Sequence, residues 1–292
     1  YFFGYPTAPT GIAFAARNFL QDVEAQAVFA QVDWGVAVYL ILSLGGRYTK
    51  ENKKARGTEF LSINTAGLLP QISYGHQPSR PGYVGSYVDP VTGQTVAATG
   101  IADFSKFTPR VNLTWKFDED KLAYATYSKG YRSGGFNGRA SGPSTLGPYQ
   151  PEEVETIEIG AKTQWLDNRL RFNAAVFDTD YQDKQEEIQQ PSATSGTGQV
   201  TRVVNAADAT IQGGEFELMW LATDGLTLRA NLGLLDAEYD NFLVNLGTTD
   251  APVYADFSDL DFRRAPKTTF SLGGNYAWDV ARSRQVLQGR SV

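Results

Sequence analysis

One short segment of the chain collects the side chains best suited to hold a ligand. It reads YRSGGFNGR and contains Tyr131, Arg132, Phe136 and Arg139. Two guanidinium groups beside two aromatic rings can hold an anionic ligand through bidentate and stacking contacts. The glycines do not follow the GxGxxG spacing of a phosphate-binding loop. The alternative, which the glycine content favours, is that the glycines bend a strand near a sheet rim and the arginines pair with acids.

A second aromatic group lies in the long segment 51–106, which is rich in proline and glycine. It contains Tyr74, Tyr83 and Tyr87, and such a segment suits the capture of an aromatic or glycan ligand. The alternative is a surface loop with ordinary tyrosines. His76 lies in the same segment, but it is the only histidine of the chain and does not predict a metal site.

The composition excludes several classes of chemistry. There is no cysteine and one histidine, so we expect no thiolate or multi-histidine metal site, no cysteine nucleophile and no cofactor. The net charge of -6 argues against a nucleic-acid partner, because such proteins usually carry a basic face. The longest apolar run, 34–46, is too short for a membrane helix. We therefore expect neither an enzyme nor a helical membrane protein.

The elements that must position these residues are β-strands. Apolar and polar residues alternate with period two, most clearly in FTPRVNLTWKF at 107–117. This pattern predicts nine strands, at 21–34, 36–50, 107–117, 121–132, 153–165, 169–183, 207–220, 226–240 and 266–278. It also predicts one shared polar face for seven charged residues: Arg110, Lys116, Glu158, Lys162, Glu217, Arg229 and Lys267. Residues 1–20 and 279–292 show no pattern that places them.

The connections between these strands alternate between two lengths. Tight ones lie around Gly35 and at 118–120, 166–168 and 221–225, and long ones at about 51–106, 133–152, 184–206 and 241–265. This alternation indicates an antiparallel up-and-down meander with two unlike ends. Outer-membrane β-barrels have this asymmetry, with short periplasmic turns and long extracellular loops.

The tryptophans distinguish a membrane sheet from a soluble one. There are five: Trp34, Trp115, Trp165, Trp220 and Trp278. Each lies at or next to a strand end that leads into a tight connection or into the chain's last segment. Each also occupies a position that alternates in step with the apolar residues of its strand. An interfacial aromatic girdle requires this placement, because indole prefers the boundary between hydrocarbon and water. A soluble β-sandwich or propeller would spread its tryptophans along the core. The sequence therefore predicts an all-β transmembrane barrel wall in contact with outer-membrane lipid.

Several segments resemble the barrels of TonB-dependent receptors. They are FTPRVNLTWKF at 107–117, KLAYATYSKGYRSGGFN at 121–137, EVETIEIGAKTQWLDNRLRFNAAVFDTDYQD at 153–183 and NAADATIQGGEFEL at 205–218. The resemblance implies a 22-stranded barrel in the bacterial outer membrane, plugged by an N-terminal domain. It further implies import of a scarce nutrient, such as a ferric siderophore, cobalamin, haem or a glycan, with energy from the TonB–ExbB–ExbD complex.

The resemblance also sets limits on this chain. Nine or ten strands are under half of such a barrel, and no plug or TonB box is recognisable before residue 21, so residues 1–292 are expected to be a partial barrel domain. Two other functions stay open at this point. A small passive porin would need few strands, and an outer-membrane barrel enzyme would need a nucleophile and a base near its rim.

Overall fold

A computed structural model of the chain describes residues 3–7, 11–63, 72–75, 83–84, 86–88, 95–97, 99–140, 143–191, 199–246 and 253–278. Side chains are described within 18–57, 99–140, 145–191, 199–246 and 253–278. No helix in these ranges is long and apolar enough to cross a membrane.

The described residues are almost all in β-strands, and one short helix lies between β9 and β10. The strands are β1 (Phe3–Thr7), β2 (Gly11–Ala37), β3 (Leu40–Ile63), β4 (Ile72–Gly75), β5 (Tyr83–Val84), β6 (Ser86–Val88), β7 (Thr95–Ala97), β8 (Ile101–Asp118), β9 (Lys121–Arg132), β10 (Glu152–Trp165), β11 (Leu170–Pro191), β12 (Gln199–Leu221), β13 (Leu226–Asn245), β14 (Tyr254–Asp256) and β15 (Thr268–Tyr276), with α1 at Pro143–Leu146.

The long strands form one antiparallel sheet in the order β1-β2-β3-β8-β9-β10-β11-β12-β13-β15. Each of these strands pairs with the next one in this order. The short strands β4 to β7 lie in the chain between β3 and β8, which pair directly. The short strand β14 pairs with the outer end of β13. Among the described strands β1 and β15 do not pair, so the sheet is open. This is the predicted up-and-down meander, present as part of a barrel wall.

All nine predicted strands are confirmed, and their ends at the tight connections agree within a few residues. Their ends at the long connections extend further than predicted; β3 continues to Ile63 and β12 begins at Gln199. In these outer parts the apolar residues no longer keep to alternate positions, as Phe60 and Leu61 in β3 and Val203 and Val204 in β12 are adjacent. Period-two alternation therefore disappears although the ladder continues. Residues 11–20, which sequence alone does not place, continue β2.

The tight connections lie at one end of the sheet. The first is at 38–39 and not at Gly35, where the β2–β3 ladder has a bulge. At 118–121 Asp118 accepts hydrogen bonds from Lys121 and the Glu119 amide, which lower the pKa of its carboxyl group. At 166–168 three consecutive residues adopt φ values of 56°, 52° and 65°. This end, the short-turn end, is thus closed by compact reversals.

The pairing register divides the residues of the sheet between two faces. Trp115 pairs with Leu40 and Ala123, and Trp220 pairs with Leu170 and Leu228. Because cross-strand partners share a face, the alternation puts all five tryptophans on the same one, the apolar face. They are 41–69% exposed and lie near the short-turn end. The predicted placement of the tryptophans on one face and at one end of the sheet is confirmed, and this set of residues is called the tryptophan belt below.

The opposite, polar face carries the seven predicted charged residues. The register links Lys116 through Leu122 to Lys162, and Lys162 through Asn173 to Glu217. Lys267 directly precedes β15 and continues its alternation. The prediction of one shared face for these charges is therefore confirmed.

Rings packed on glycines are a recurrent feature of the polar face. A Cβ added to Gly160 would lie 2.6 Å from Cζ of Tyr124, and one added to Gly213 would lie 2.5 Å from Cζ of Phe177. The Tyr124 hydroxyl then donates to Glu158 across 2.7 Å. Glycine in these strands therefore provides a surface on which a neighbouring ring lies flat.

A pair of arginine substitutions tests the assignment of faces. Leu232 is on the apolar face, four residues beyond Leu228 in the tryptophan belt, and is expected to lie near the centre of the bilayer. Leu232→Arg should lower the stability of the membrane-inserted protein by about 2 to 4 kcal/mol, while Asn231→Arg on the polar face should be tolerated. The measurement is the folded fraction after refolding into lipid vesicles, which is read from the heat-dependent migration of the protein in a gel. Equal losses in the two variants would contradict the assignment.

A second pair of substitutions tests the packing of Tyr124 on Gly160. Gly160→Ala should destabilise by about 1 to 3 kcal/mol, because the added methyl displaces the ring and its hydrogen bond to Glu158. Gly273→Ala is the matched control, since its Cβ would meet nothing within 4 Å. The measurement is the midpoint of urea unfolding in vesicles. In a Tyr124→Ala background the cost of Gly160→Ala should disappear, and persistence of the full cost there would disprove the explanation.

Candidate functional site at the long-loop end

The connection between β9 and β10, residues 133–151, folds back against the polar face of the sheet. We call it the inward loop. Phe136, Ala140 and Leu146 form a buried cluster with Ala55 of β3, and Phe19 and Ala102 pack against it. Phe136 is 5% exposed and Leu146 is fully buried. The inward loop is therefore held by an apolar core of its own.

Polar contacts fasten both sides of the inward loop to the sheet. On one side Nζ of Lys53 in β3 donates to Oγ of Ser133 at 2.5 Å and to the carbonyl of Gly134 at 2.8 Å. On the other side Nδ2 of Asn137 donates to the carbonyl of Thr201 in β12 at 2.9 Å. From β3 to β12 is five strand spacings, or about 24 Å of wall. The loop thus covers the polar face of six strands at the long-loop end.

A buried polar network secures the base of the inward loop. Nε2 of Gln185 donates to the carbonyls of Ser133 and Gln150 at 3.1 and 3.0 Å. The backbone N–H of Gln185 donates to Oε2 of the buried Glu152 carboxylate at 2.7 Å. Asn205 exchanges hydrogen bonds with the backbone of Gln150. Among the described residues no buried side-chain atom of this network lacks a hydrogen-bond partner, and satisfied networks of this kind are rigid.

The paired glycines of the inward loop are required by close contacts. A Cβ on Gly134 would lie 2.2 Å from the Tyr149 carbonyl and 2.6 Å from the ring of Phe104. One on Gly135 would lie 2.8 Å from the Tyr149 hydroxyl, and Gly135 and Tyr149 form an isolated β-bridge. Close approach of two backbone segments explains these glycines.

The structure brings four predicted ligand-binding residues to this end of the sheet. Phe136 is inside the core of the inward loop, and Tyr131 has a buried hydroxyl without a partner in the described part of the chain. Arg132 pairs with Glu152 at 3.5 Å and Arg139 with Glu187. Their side chains are 69% and 64% exposed, so each guanidinium also faces solvent.

The remaining predicted residues lie in the segment between β3 and β8. The side chains of Tyr74, Tyr83 and Tyr87 lie outside the described residues, as does His76. Tyr74 is in β4, which pairs with β3, and so its backbone also belongs to the long-loop end. A ligand-binding role for all these residues stays a prediction.

An aromatic groove lies beside the inward loop, between the outer ends of β11, β12 and β13 and the segment 253–263. Tyr239 stacks on Phe262 with centroids 4.2 Å apart, and Phe242 packs against Phe257 at 5.7 Å. Nζ of Lys184 lies 5.3 Å from the Phe262 ring centroid. The residues lining the groove include Glu187, Thr201, Leu260, Asp261 and Arg263.

The groove combines apolar surface with charge. A membrane strand needs about 9 to 11 residues, and Tyr239 is eleven residues beyond the tryptophan belt at Leu228, so the groove is expected above the bilayer. Burial, together with the hydrogen bond to Glu186 at 3.0 Å, raises the pKa of Tyr239 to about 12. Its hydroxyl is thus a neutral donor at physiological pH. Arg263 adds a cation beside the acids Glu187 and Asp261, and the whole arrangement can hold an aromatic solute.

Sequence reasoning did not identify this groove as a site. The sequence indicates a long connection at 241–265 and no ligand site there. Phe257 and Phe262 within it were a usable signal, but their partner Tyr239 is on β13 and its contacts depend on the fold. The described residues contain no group of three or more histidine, cysteine, aspartate or glutamate side chains arranged to hold a metal ion.

The family of the chain follows from comparison with known proteins. The model of the family described as "TonB dependent receptor-like, beta-barrel" matches residues 2–291. The chain belongs to the TonB-dependent receptor family. Barrels of this family are bacterial outer-membrane proteins, and its members are transport receptors. The predicted family and fold class are confirmed.

Three relatives of the chain illustrate the similarity. A probable TonB-dependent siderophore receptor, PiuA of Acinetobacter baumannii, is 28% identical over 152 residues, which are 50% of this chain and 19% of that protein. The ferric yersiniabactin uptake receptor FyuA from Yersinia pestis is 14% identical with a TM-score of 0.57, over 90% of this chain and 40% of FyuA. The copper transporter OprC is 14% identical with a TM-score of 0.54, over 92% of this chain and 46% of OprC. At such identities the two structures show a common fold, and the chain spans less than half the length of each relative.

The attachment of the inward loop to β12 can be tested at Asn137. Asn137→Ala removes the donor to the carbonyls of Thr145 and Thr201 and should cost about 1 to 3 kcal/mol of local stability. Hydrogen–deuterium exchange of peptides covering 133–151 should become faster. Asn241→Ala, at an exposed position at the same end of β13, is the control. If both variants exchange at the rate of the unmodified protein, Asn137 does not hold the loop.

Proposed function

We propose that this chain forms part of the wall of an outer-membrane receptor that imports a ferric siderophore. The observation that carries the proposal is the family match over residues 2–291 combined with the similarity to a siderophore receptor. Cobalamin, haem and glycans are the other solutes to test, because relatives of one fold bind different cargo. Neither a passive porin nor a barrel enzyme is favoured by the family of transport receptors.

The solute is first held at the long-loop end. The aromatic groove offers the rings of Tyr239, Phe242 and Phe257 together with Arg263. Beside it, the exposed parts of Arg132 and Arg139 provide two further cations. Ferric chelates of catecholates and carboxylates are often anionic and carry flat groups, and rings and guanidinium groups match both properties. Tyr131, Tyr74, Tyr83 and Tyr87 belong to the same proposed capture surface.

Passage of the solute through the barrel would use energy and partners in addition to the wall described here. The inward loop is fixed across six strands, so the capture surface is rigid and does not itself drive transport. Energy would come from the TonB–ExbB–ExbD complex acting through a plug domain of the whole receptor. Outer-membrane lipid would cover the apolar face, whose belt of tryptophans suits a membrane interface.

An uptake experiment tests the proposal. The gene product that contains this chain is expressed in a strain lacking its own siderophore receptors, with and without TonB. Accumulation of radioactive iron from a panel of ferric siderophores should require both the receptor and TonB. Cobalamin, haem and oligosaccharides are tested in parallel. Failure to import any of these solutes would contradict the assignment to import.

Variants of the capture surface separate binding from assembly. Arg263→Ala and the double change Arg132→Ala with Arg139→Ala should each weaken solute binding about tenfold, because each removes guanidinium contacts to an anion. Arg169→Ala is the control, since Arg169 pairs with Asp224 at the short-turn end. Equal affinity in all variants, at equal amounts of folded protein, would move the binding site elsewhere.

A further inference from the structure

The charges of the aromatic groove balance one another. Three acids line the groove: Glu186, Glu187 and Asp261. The cations that accompany them, in the same order, are Lys184, Arg139 and Arg263. The charged residues next to the lining in sequence, which do not line it themselves, are Arg202, Asp259 and Arg264. Because three uncompensated carboxylates would repel an anionic solute, the cations decide which solutes the groove accepts.

A β-bulge in β11 places Lys184 beside the groove. Between Tyr181 and Lys184 the ladder with β12 shifts its register. Asp183 in the bulge has a φ of 52°, and its N–H donates to Oδ1 of Asp208 at 3.0 Å. Nδ2 of Asn205 donates to the Asp183 carbonyl at 2.8 Å. A bulge of this kind re-aims the side chains beside it, so the direction of Lys184 is built into the strand.

The Lys184 ammonium is surrounded by one carboxylate and two rings. It donates to Oε1 of Glu186 and lies 5.7 and 5.3 Å from the ring centroids of Tyr239 and Phe262. The side chains of Lys184 and Glu186 are only 20% and 17% exposed. Charges that are largely buried are weakly screened by salt. Without the ammonium, the Glu186 charge would therefore act on any solute in the groove.

We propose that Lys184 sets the charge specificity of the aromatic groove by cancelling the Glu186 carboxylate, so that the groove accepts an anionic aromatic group. With Lys184 the three acids and three cations balance, and without it one carboxylate is left over. Lys184 is not among the lining residues, so it acts through Glu186 and does not need to touch the solute. This inference rests on the proposed capture of an anionic chelate and names the residue on which that capture depends.

The test uses three probes that share a catechol ring and differ in charge at neutral pH. Dihydroxybenzoate is an anion, catechol is neutral and dopamine is a cation. Their dissociation constants for the purified gene product that contains this chain are measured by saturation-transfer NMR. Lys184→Met keeps most of the stem but removes the ammonium, and it should lower the affinity for the anion relative to the cation at least about tenfold. Lys184→Arg should keep the ratio, and so should the control Lys106→Met, because Lys106 pairs with Glu153 outside the groove.

Two changes at Glu186 separate charge from packing. Lys184→Met combined with Glu186→Gln removes both charges and should restore the ratio of the unmodified protein, although all three affinities fall. Glu186→Gln alone leaves the ammonium in excess and should shift the ratio toward the anion, which decides the matter where Lys184→Met does not fold. Equal loss for all three probes in Lys184→Met, an unrestored ratio in the double variant, or no binding of any probe would overturn the proposal. Uptake of ferric siderophores is measured separately, so charge-dependent probe binding without uptake would contradict the proposed function and leave the role of Lys184 intact.

Discussion

Continuous backbone pairing is the constraint on which this structure depends. In hydrocarbon an unpaired N–H or C=O group costs several kcal/mol, so every strand of a membrane wall must pair on both sides. From β2 to β15 the ladder runs from strand to strand with few register shifts, most of them near turns or at the long-loop end. Because the strands between the two edges commit their backbone to pairing, their side chains are the part of the wall that varies. Their alternation then decides what contacts lipid and what contacts the interior.

The same constraint explains what the sequence predicted well. Lys121–Arg132 was predicted with its observed bounds, because an acidic turn precedes it and the glycine-rich loop follows it. The placement of the tryptophans on one face and of the seven charged residues on the other followed from the alternation of residues along each strand alone. The predicted bounds omit the outer third of β11 and of β12, since there the two faces no longer differ in polarity.

The arrangement of the candidate site could not be predicted from local sequence. YRSGGFNGR indicates a bend and possible ligand contacts, but nothing in it reveals that Phe136 packs on Ala55 or that Lys53 binds Ser133. The partners in these contacts are about eighty residues apart. The aromatic groove depends on contacts of the same kind, because Tyr239 and Phe262 meet only when β13 and the segment after β14 are folded together.

Charge is distributed unevenly along the wall. At the long-loop end Lys106, Arg132, Arg139 and Lys184 have carboxylate partners. Lower in the wall the charged groups bond to neutral neighbours, as Glu158 does to Tyr124 and Glu217 to Asn173. A polar interior of this kind is stable only where it is hydrated or covered by a complementary surface.

The length of β11 and β12 has a physical consequence for whatever approaches the cell. About ten of the 22 residues of β11 suffice to cross the bilayer. The other twelve or so rise on the order of 30 Å above it for a strand with moderate tilt. This hairpin is a stiff ribbon of two paired strands that stands well outside the bilayer. A large particle that approaches from this side therefore meets ordered β-structure before it meets lipid, whereas a small solute can diffuse past the hairpin toward the long-loop end.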